Sequence, residues 1–80
     1  MREYIATFHT HLAALMTSRA LTGLGVQARM MPVPRKLSSS CGTCVRYLSE
    51  DAHLTAMDED VEAVYEKIGK EEYTLLMNAD

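Results

Sequence analysis

Asp58-Glu59-Asp60-Val61-Glu62-Ala63-Val64-Tyr65-Glu66-Lys67-Ile68-Gly69 is the stretch on which the fold turns. Val61, Val64, Tyr65 and Ile68 stand at i, i+3, i+4 and i+7, the spacing that lines one face of an α-helix. Asp58 has the short acceptor side chain of an N-cap, and Gly69 the backbone freedom that closes a helix C-terminus. Asp58, Glu59, Asp60 and Glu62 crowd the first turn, where the helix dipole favours anions. Four carboxylates could hold a cation, yet a solvated acidic helix start accounts for them without one. The spacing predicts a helix.

Working outward, Tyr73-Thr74-Leu75-Leu76-Met77 reads as a closing strand, and Ser49–Met57 as a turn of weak pattern. Toward the N-terminus, Cys44-Val45-Arg46-Tyr47-Leu48 reads as a strand, and Val26 to Met31 alternates apolar and polar like another. Leu12, Leu15, Met16, Ala20, Leu21 and Leu24 recur near a 3.6 period, so they predict the buried face of a first helix. Thr10 is its N-cap candidate, and Gly23 and Gly25 close it. Tyr4-Ile5-Ala6-Thr7-Phe8 is the first strand, apolar, aromatic and β-branched.

The order is therefore βαββαβ. It predicts an α+β, ferredoxin-like two-layer sandwich with a four-stranded antiparallel sheet and two helices on one face. In that topology strands one and two run parallel, with strand three between them. The connection from strand two to strand three then meets His9, Thr10 and His11 at one end of the sheet. His53 and the acidic start of the second helix belong at the other end.

Eighty residues make a single domain over 1–80, small enough that folding buries only roughly 60% of the unfolded chain's surface. Residues 1–49 carry a net charge of +5 and residues 50–80 one of −8, for −3 in all. That balance argues against nucleic acid as a partner. No apolar run reaches the ~20 residues of a membrane span, and Met1-Arg2-Glu3-Tyr4-Ile5 lacks the core of a signal peptide. The two cysteines stand in one CxxC, which staples nothing across a fold. A reducing compartment, the cytoplasm, is the expectation.

The chemistry concentrates in Met31-Pro32-Val33-Pro34-Arg35-Lys36-Leu37-Ser38-Ser39-Ser40-Cys41-Gly42-Thr43-Cys44, which holds both prolines and both cysteines. Pro32 and Pro34 stop a regular element, and Gly42 permits a tight turn between the sulfurs. The reading is a shaped loop that presents a thiol. Thiolates do sulfur chemistry, and helix N-termini and cations favour them. Arg35, Lys36, the first helix's N-terminus and His9 or His11 are the expected stabilisers. Backbone N–H groups around Ser39, Ser40 and Gly42 could form an anion-holding nest. No cofactor is called for. A structural zinc would need His9 and His11 beside the cysteines, without a second CxxC to support it.

Tyr4 to Phe8 with His9-Thr10-His11, then Met31-Pro32-Val33-Pro34-Arg35, then Ser38-Ser39-Ser40-Cys41-Gly42, resembles the small family of selenium/sulfur carrier proteins. The resemblance covers residues 4 to about 48. It implies that Cys41 holds a persulfide or selenosulfide, loaded by a desulfurase-type donor protein and unloaded onto an acceptor protein. Cys44 departs from the family pattern, in which apolar strand residues follow Cys-Gly, and the Ser49–Met57 connection is long. A second thiol could collapse a persulfide on Cys41 to a disulfide, which requires Cα atoms ~4.4–6.8 Å apart. Two alternatives thus stand beside the carrier: a Cys41/Cys44 redox module, and a non-catalytic interaction domain, a homodimer included, pairing through an edge strand.

Overall fold

The computed structural model describes residues 1–79. Its elements are β1 (Arg2–Phe8), α1 (His11–Gly23), β2 (Gln27–Pro32), β3 (Thr43–Ser49), the 3₁₀ turn η1 (Leu54–Ala56), β4 (Val61–Gly69) and β5 (Glu72–Asn78). The strands form one sheet in the order β2-β3-β1-β4-β5, with every neighbouring pair antiparallel. The expected ferredoxin-like sandwich is thus overturned. One helix, not two, packs on five strands, not four.

The error sits in 58–69, and its cause is a β-bulge. Thr7 pairs with Ala63 and Phe8 with Val61, so Glu62 is an extra residue in β4. In a regular strand, residues three apart face opposite ways. The bulge reverses that parity, so Val61 beside Phe8 and Val64 beside Ala6 reach the same core. A helix-like i, i+3 spacing therefore comes from a kinked strand. Val61, Val64, Tyr65 and Ile68 are also β-branched or aromatic, types that favour a pleated surface. The N-cap signal of Asp58 is real but serves a turn: its carboxylate accepts from Asp60 N–H at 2.9 Å, and its carbonyl from Val61 N–H at 3.0 Å. β4 then returns as β5 in a hairpin, where Tyr73 and Tyr65 meet edge to face.

The core lies between the sheet and α1. Tyr4, Ala6 and Phe8 of β1, Val45 and Tyr47 of β3, and Val61 and Val64 of β4 face Ala13, Ala14 and Leu21. Tyr4 and Tyr47 stack at 5.1 Å between ring centroids. A second expectation holds for Leu21 alone among the large side chains named. The helix buries Ala13, Ala14, Thr17 and Leu21, and leaves Leu12, Met16 and Leu24 exposed. Tyr and Phe already fill the sheet side, and the two alanines let the helix settle close onto those rings. Leu12, Met16 and Leu24 are displaced outward, while Leu21 keeps its place in the core.

Where the second helix was expected, the connection between β3 and β4 climbs the helix side of the sheet. Ala52, Ala56 and Met57 pack against the core, and Asp58 N–H donates to the buried Thr17 hydroxyl at 3.0 Å. The buried Tyr47 hydroxyl donates to Ala52 O at 2.5 Å. Burial, then Tyr4 and Asp51, pushes its ionisation well above the usual tyrosine range. This climb delivers the acidic segment to the sheet end where β1 finishes. That corrects its expected position at the opposite end.

Candidate functional site

The end of the sheet at Phe8 gathers three segments: the β1–α1 turn, the start of β4, and the loop from Val33 to Gly42. β1 and β2 run parallel with β3 between them, as the topology required, so the loop crosses beside His9, Thr10 and His11. Thr10 caps α1, its hydroxyl accepting from Ala13 N–H at 3.0 Å. His11 Nδ1 lies 3.5 Å from Thr43 Oγ1, and His9 Nδ1 lies 3.5 Å from Ser40 Oγ. His53 sits at the far end, against Ser49.

The loop is closed by its own backbone. Val33 N–H donates to Gly42 O at 3.1 Å, and Leu37 N–H to Pro34 O at 3.0 Å. Gly42 N–H donates to Ser39 O at 3.3 Å, with Gly42 at φ +73°, a conformation that glycine adopts without strain. Ser39 anchors the loop to the sheet, its hydroxyl donating to Phe8 O at 2.8 Å. The same oxygen lies 3.7 Å from Cys41 Sγ and 3.5 Å from Thr43 O. One hydroxyl proton thus has three acceptors within reach, the sulfur among them.

Cys41 is half-buried, packed against the helix-side core, and its thiol donates to Thr43 O at 3.4 Å. Cys44 is different. It belongs to β3, pairs with Thr7 and Met31, and lies fully buried on the sheet face away from α1. Its sulfur contacts Pro32 O at 3.7 Å. Burial, with a smaller effect from Cys41, pushes the Cys44 thiol up to about 11. Both cysteines are free thiols, Cys44 within β3 and Cys41 on the loop before it.

Arg35 and Lys36 lie exposed at the loop's outer turn, and among the described residues neither forms a hydrogen bond to Cys41 or an ion pair. The proposed nest is also partly occupied from within, because Gly42 N–H serves Ser39 O and Ser40 N–H serves Glu62. Among the described residues, no group of three or more His, Cys, Asp or Glu is placed to hold a metal ion.

Glu62 is the residue that sequence reasoning missed. Its Oε1 accepts from Ser40 N–H at 3.0 Å, and its Oε2 from Ser40 Oγ at 2.7 Å, with His9 Nδ1 at 3.3 Å from Oε2. Burial pushes this carboxyl up, but hydrogen bonds from Ser40 and Ser39 and the proximity of His9 outweigh it and hold the group below its usual range. Reading Val61-Glu62-Ala63-Val64 as a strand antiparallel to β1 would have placed Glu62 beside Phe8. Beneath the loop, Thr7, Ser38, Glu62, Ala63, Tyr65 and Asn78 line a cleft of about 210 Å³ on the face away from α1.

Fold and site together define a small α+β domain that holds one thiol half-buried on an anchored loop and buries the other in a strand. The chain belongs to the family described as "Putative Se/S carrier protein-like", whose model matches residues 3–73. It is similar to the "Uncharacterized protein YtiA" of Escherichia coli (strain K12), at 33% identity over 45 residues, 56% of this chain and 53% of that protein. The chain thus spans about half the length of the curated relative it matches. No solved structure matches it. No helix among the described residues is long and apolar enough to cross a membrane.

Proposed function

We propose that this protein carries sulfur, or selenium in its place, on Cys41 between a donor and an acceptor protein. The observation that carries the reading is the contrast between the cysteines: Cys41 half-exposed on a loop, Cys44 sealed in a strand. In loading, the Cys41 thiolate attacks the terminal sulfur of a donor persulfide. A new S–S bond forms on Cys41, the donor's S–S bond breaks, and the donor thiolate leaves with the electron pair. Unloading is the same exchange, with an acceptor thiolate attacking the terminal sulfur and the Cys41 thiolate leaving. No net oxidation occurs in either step. Ser39, 3.7 Å from the sulfur, is placed to turn its hydroxyl toward an anion there.

The buried Cys44 weighs against the redox-pair alternative, because its thiol is sealed in the sheet and keeps its proton at neutral pH. Such burial also protects a persulfide on Cys41 from internal attack that would release sulfide. Intact mass after treatment with glutathione persulfide tests the reading. A gain of about 32 Da, one sulfur, is expected in the native chain and not in Cys41→Ser. A loss of about 2 Da would replace the carrier with a disulfide module. An unchanged mass in the native chain would sink the proposal.

A further inference from the structure

Glu62 has no role in the sulfur exchange just described, yet its carboxylate meets Ser40 N–H, Ser40 Oγ and His9 Nδ1. Its two carboxylate oxygens hold the residue immediately before Cys41 by both the main chain and the side chain. On the other side of Cys41, Thr43 already belongs to β3. The thiol thus sits on a short span fixed at both ends, by a strand after it and by a carboxylate before it. Ser39 fastens to Phe8 O, but the charge-assisted hold is that of Glu62. The bulge presents this carboxylate to the loop, because Glu62 is the extra residue at the register shift between Thr7 and Phe8.

We propose that Glu62 is a positioning residue, a latch whose grip on Ser40 keeps the Cys41 thiol half-buried until a partner competes for the carboxylate. The inference rests on the carrier reading, in which Cys41 must enter a second protein's site to exchange sulfur. A half-buried sulfur is out of reach of a bulky partner, so the span before it has to lift. A cationic side chain of the partner, offered to Glu62, is the chemistry that would release it. The groups that face the carboxylate are few. His9 from the β1–α1 turn is the titratable one, Ser39 and Ser40 come from the loop, and Asn78 of β5 shares the cleft. Ala79 N–H donates to the Glu62 main-chain carbonyl at 3.0 Å, fixing its backbone from the β5 side.

The test compares two thiol reagents of different bulk on the unloaded protein. Dipyridyl disulfide and a pyridyl disulfide on a long polyethylene glycol chain both react by thiolate attack on sulfur, releasing pyridinethione. At one pH the ratio of their rates cancels the thiolate fraction and reads reach alone. Subtracting Cys41→Ser removes any reaction at Cys44. For Glu62→Ala the bulky-to-small ratio is expected to rise about tenfold, with Ser40→Ala rising by less because its main-chain N–H remains. In the native chain the ratio should stay flat on acidification through the ordinary carboxylate range, then rise as Glu62 takes a proton. Glu62→Gln, which cannot titrate, should show no acid rise. Equal ratios in native, Glu62→Ala and Ser40→Ala proteins, or the same acid rise in Glu62→Gln, would overturn the latch. If Glu62→Ala fails to fold by circular dichroism, Ser40→Ala and the acid limb of the native chain decide. None of these outcomes depends on persulfide formation, so latch and carrier fail separately.

Discussion

Val64→Ala and Ile68→Ala form a pair whose contrast tests the strand that replaced the expected second helix. On a helix both residues would share one apolar face, and truncating either would cost a similar amount. On β4 they differ: Val64 is 0% exposed against Ala6, whereas Ile68 is 62% exposed near the hairpin end. Val64→Ala removes two buried methyl groups, worth about 1.6 kcal/mol in transfer free energy at ~0.8 kcal/mol each. A residual cavity in the core raises this to about 2–3 kcal/mol, because a close-packed interior relaxes only in part. Ile68→Ala at an exposed site should stay within about 0.5 kcal/mol. Urea denaturation at pH 7, followed by far-ultraviolet circular dichroism, measures both midpoints. An unchanged slope would show that stability and not denatured-state compactness has moved. In a domain of this size the Val64 loss should also lower Tm by about 10–20 °C. Equal losses for the two variants would refute β4 and restore the helix.

Three further outcomes follow from the described contacts. Iodoacetamide at pH 8 should label Cys41 and spare Cys44 until denaturant is added, since burial holds the Cys44 thiol up to about 11; peptide mass spectrometry reads this directly. Thr10→Ala removes the hydroxyl that accepts from Ala13 N–H and should destabilise the fold by about 1 kcal/mol in the same urea assay. Because the folded Glu62 carboxyl lies below its usual range, its contribution to stability is present above the unfolded value of ~4.3 and fades as pH falls through the lower folded value. Glu62→Gln should therefore flatten the acid limb of a stability–pH curve while changing little of its shape above pH 6.

Several features were legible from residues alone because they depend on local chemistry. The Thr10 cap, the end of α1 near Gly25, the central place of β3 between parallel β1 and β2, and the meeting of His9 and His11 with the Cys41 loop all emerged from pattern and topology. What escaped depends on tertiary choices. A bulge at Glu62 gave a strand the spacing of a helix. Large rings on the sheet turned α1 onto Ala13, Ala14 and Leu21 and left Leu12, Met16 and Leu24 outside. Glu62 itself was read as part of a solvated acidic run, since its contact with Ser40 spans 22 residues and needs β4 to exist.

The bulge also makes an evolutionary statement. Deleting the residue at position 62 would return β4 to an even pleat, with Val61 still opposite Phe8 and now two residues from Val64 on the same core face. The same deletion would remove the carboxylate that holds Ser40. What the extra residue adds is therefore not core register but a hold on the loop, carried in a single codon's worth of length. A chain without it should keep its core and lose its grip on the span before Cys41. One more residue at the same place would instead need a wider bulge to keep Val61 beside Phe8.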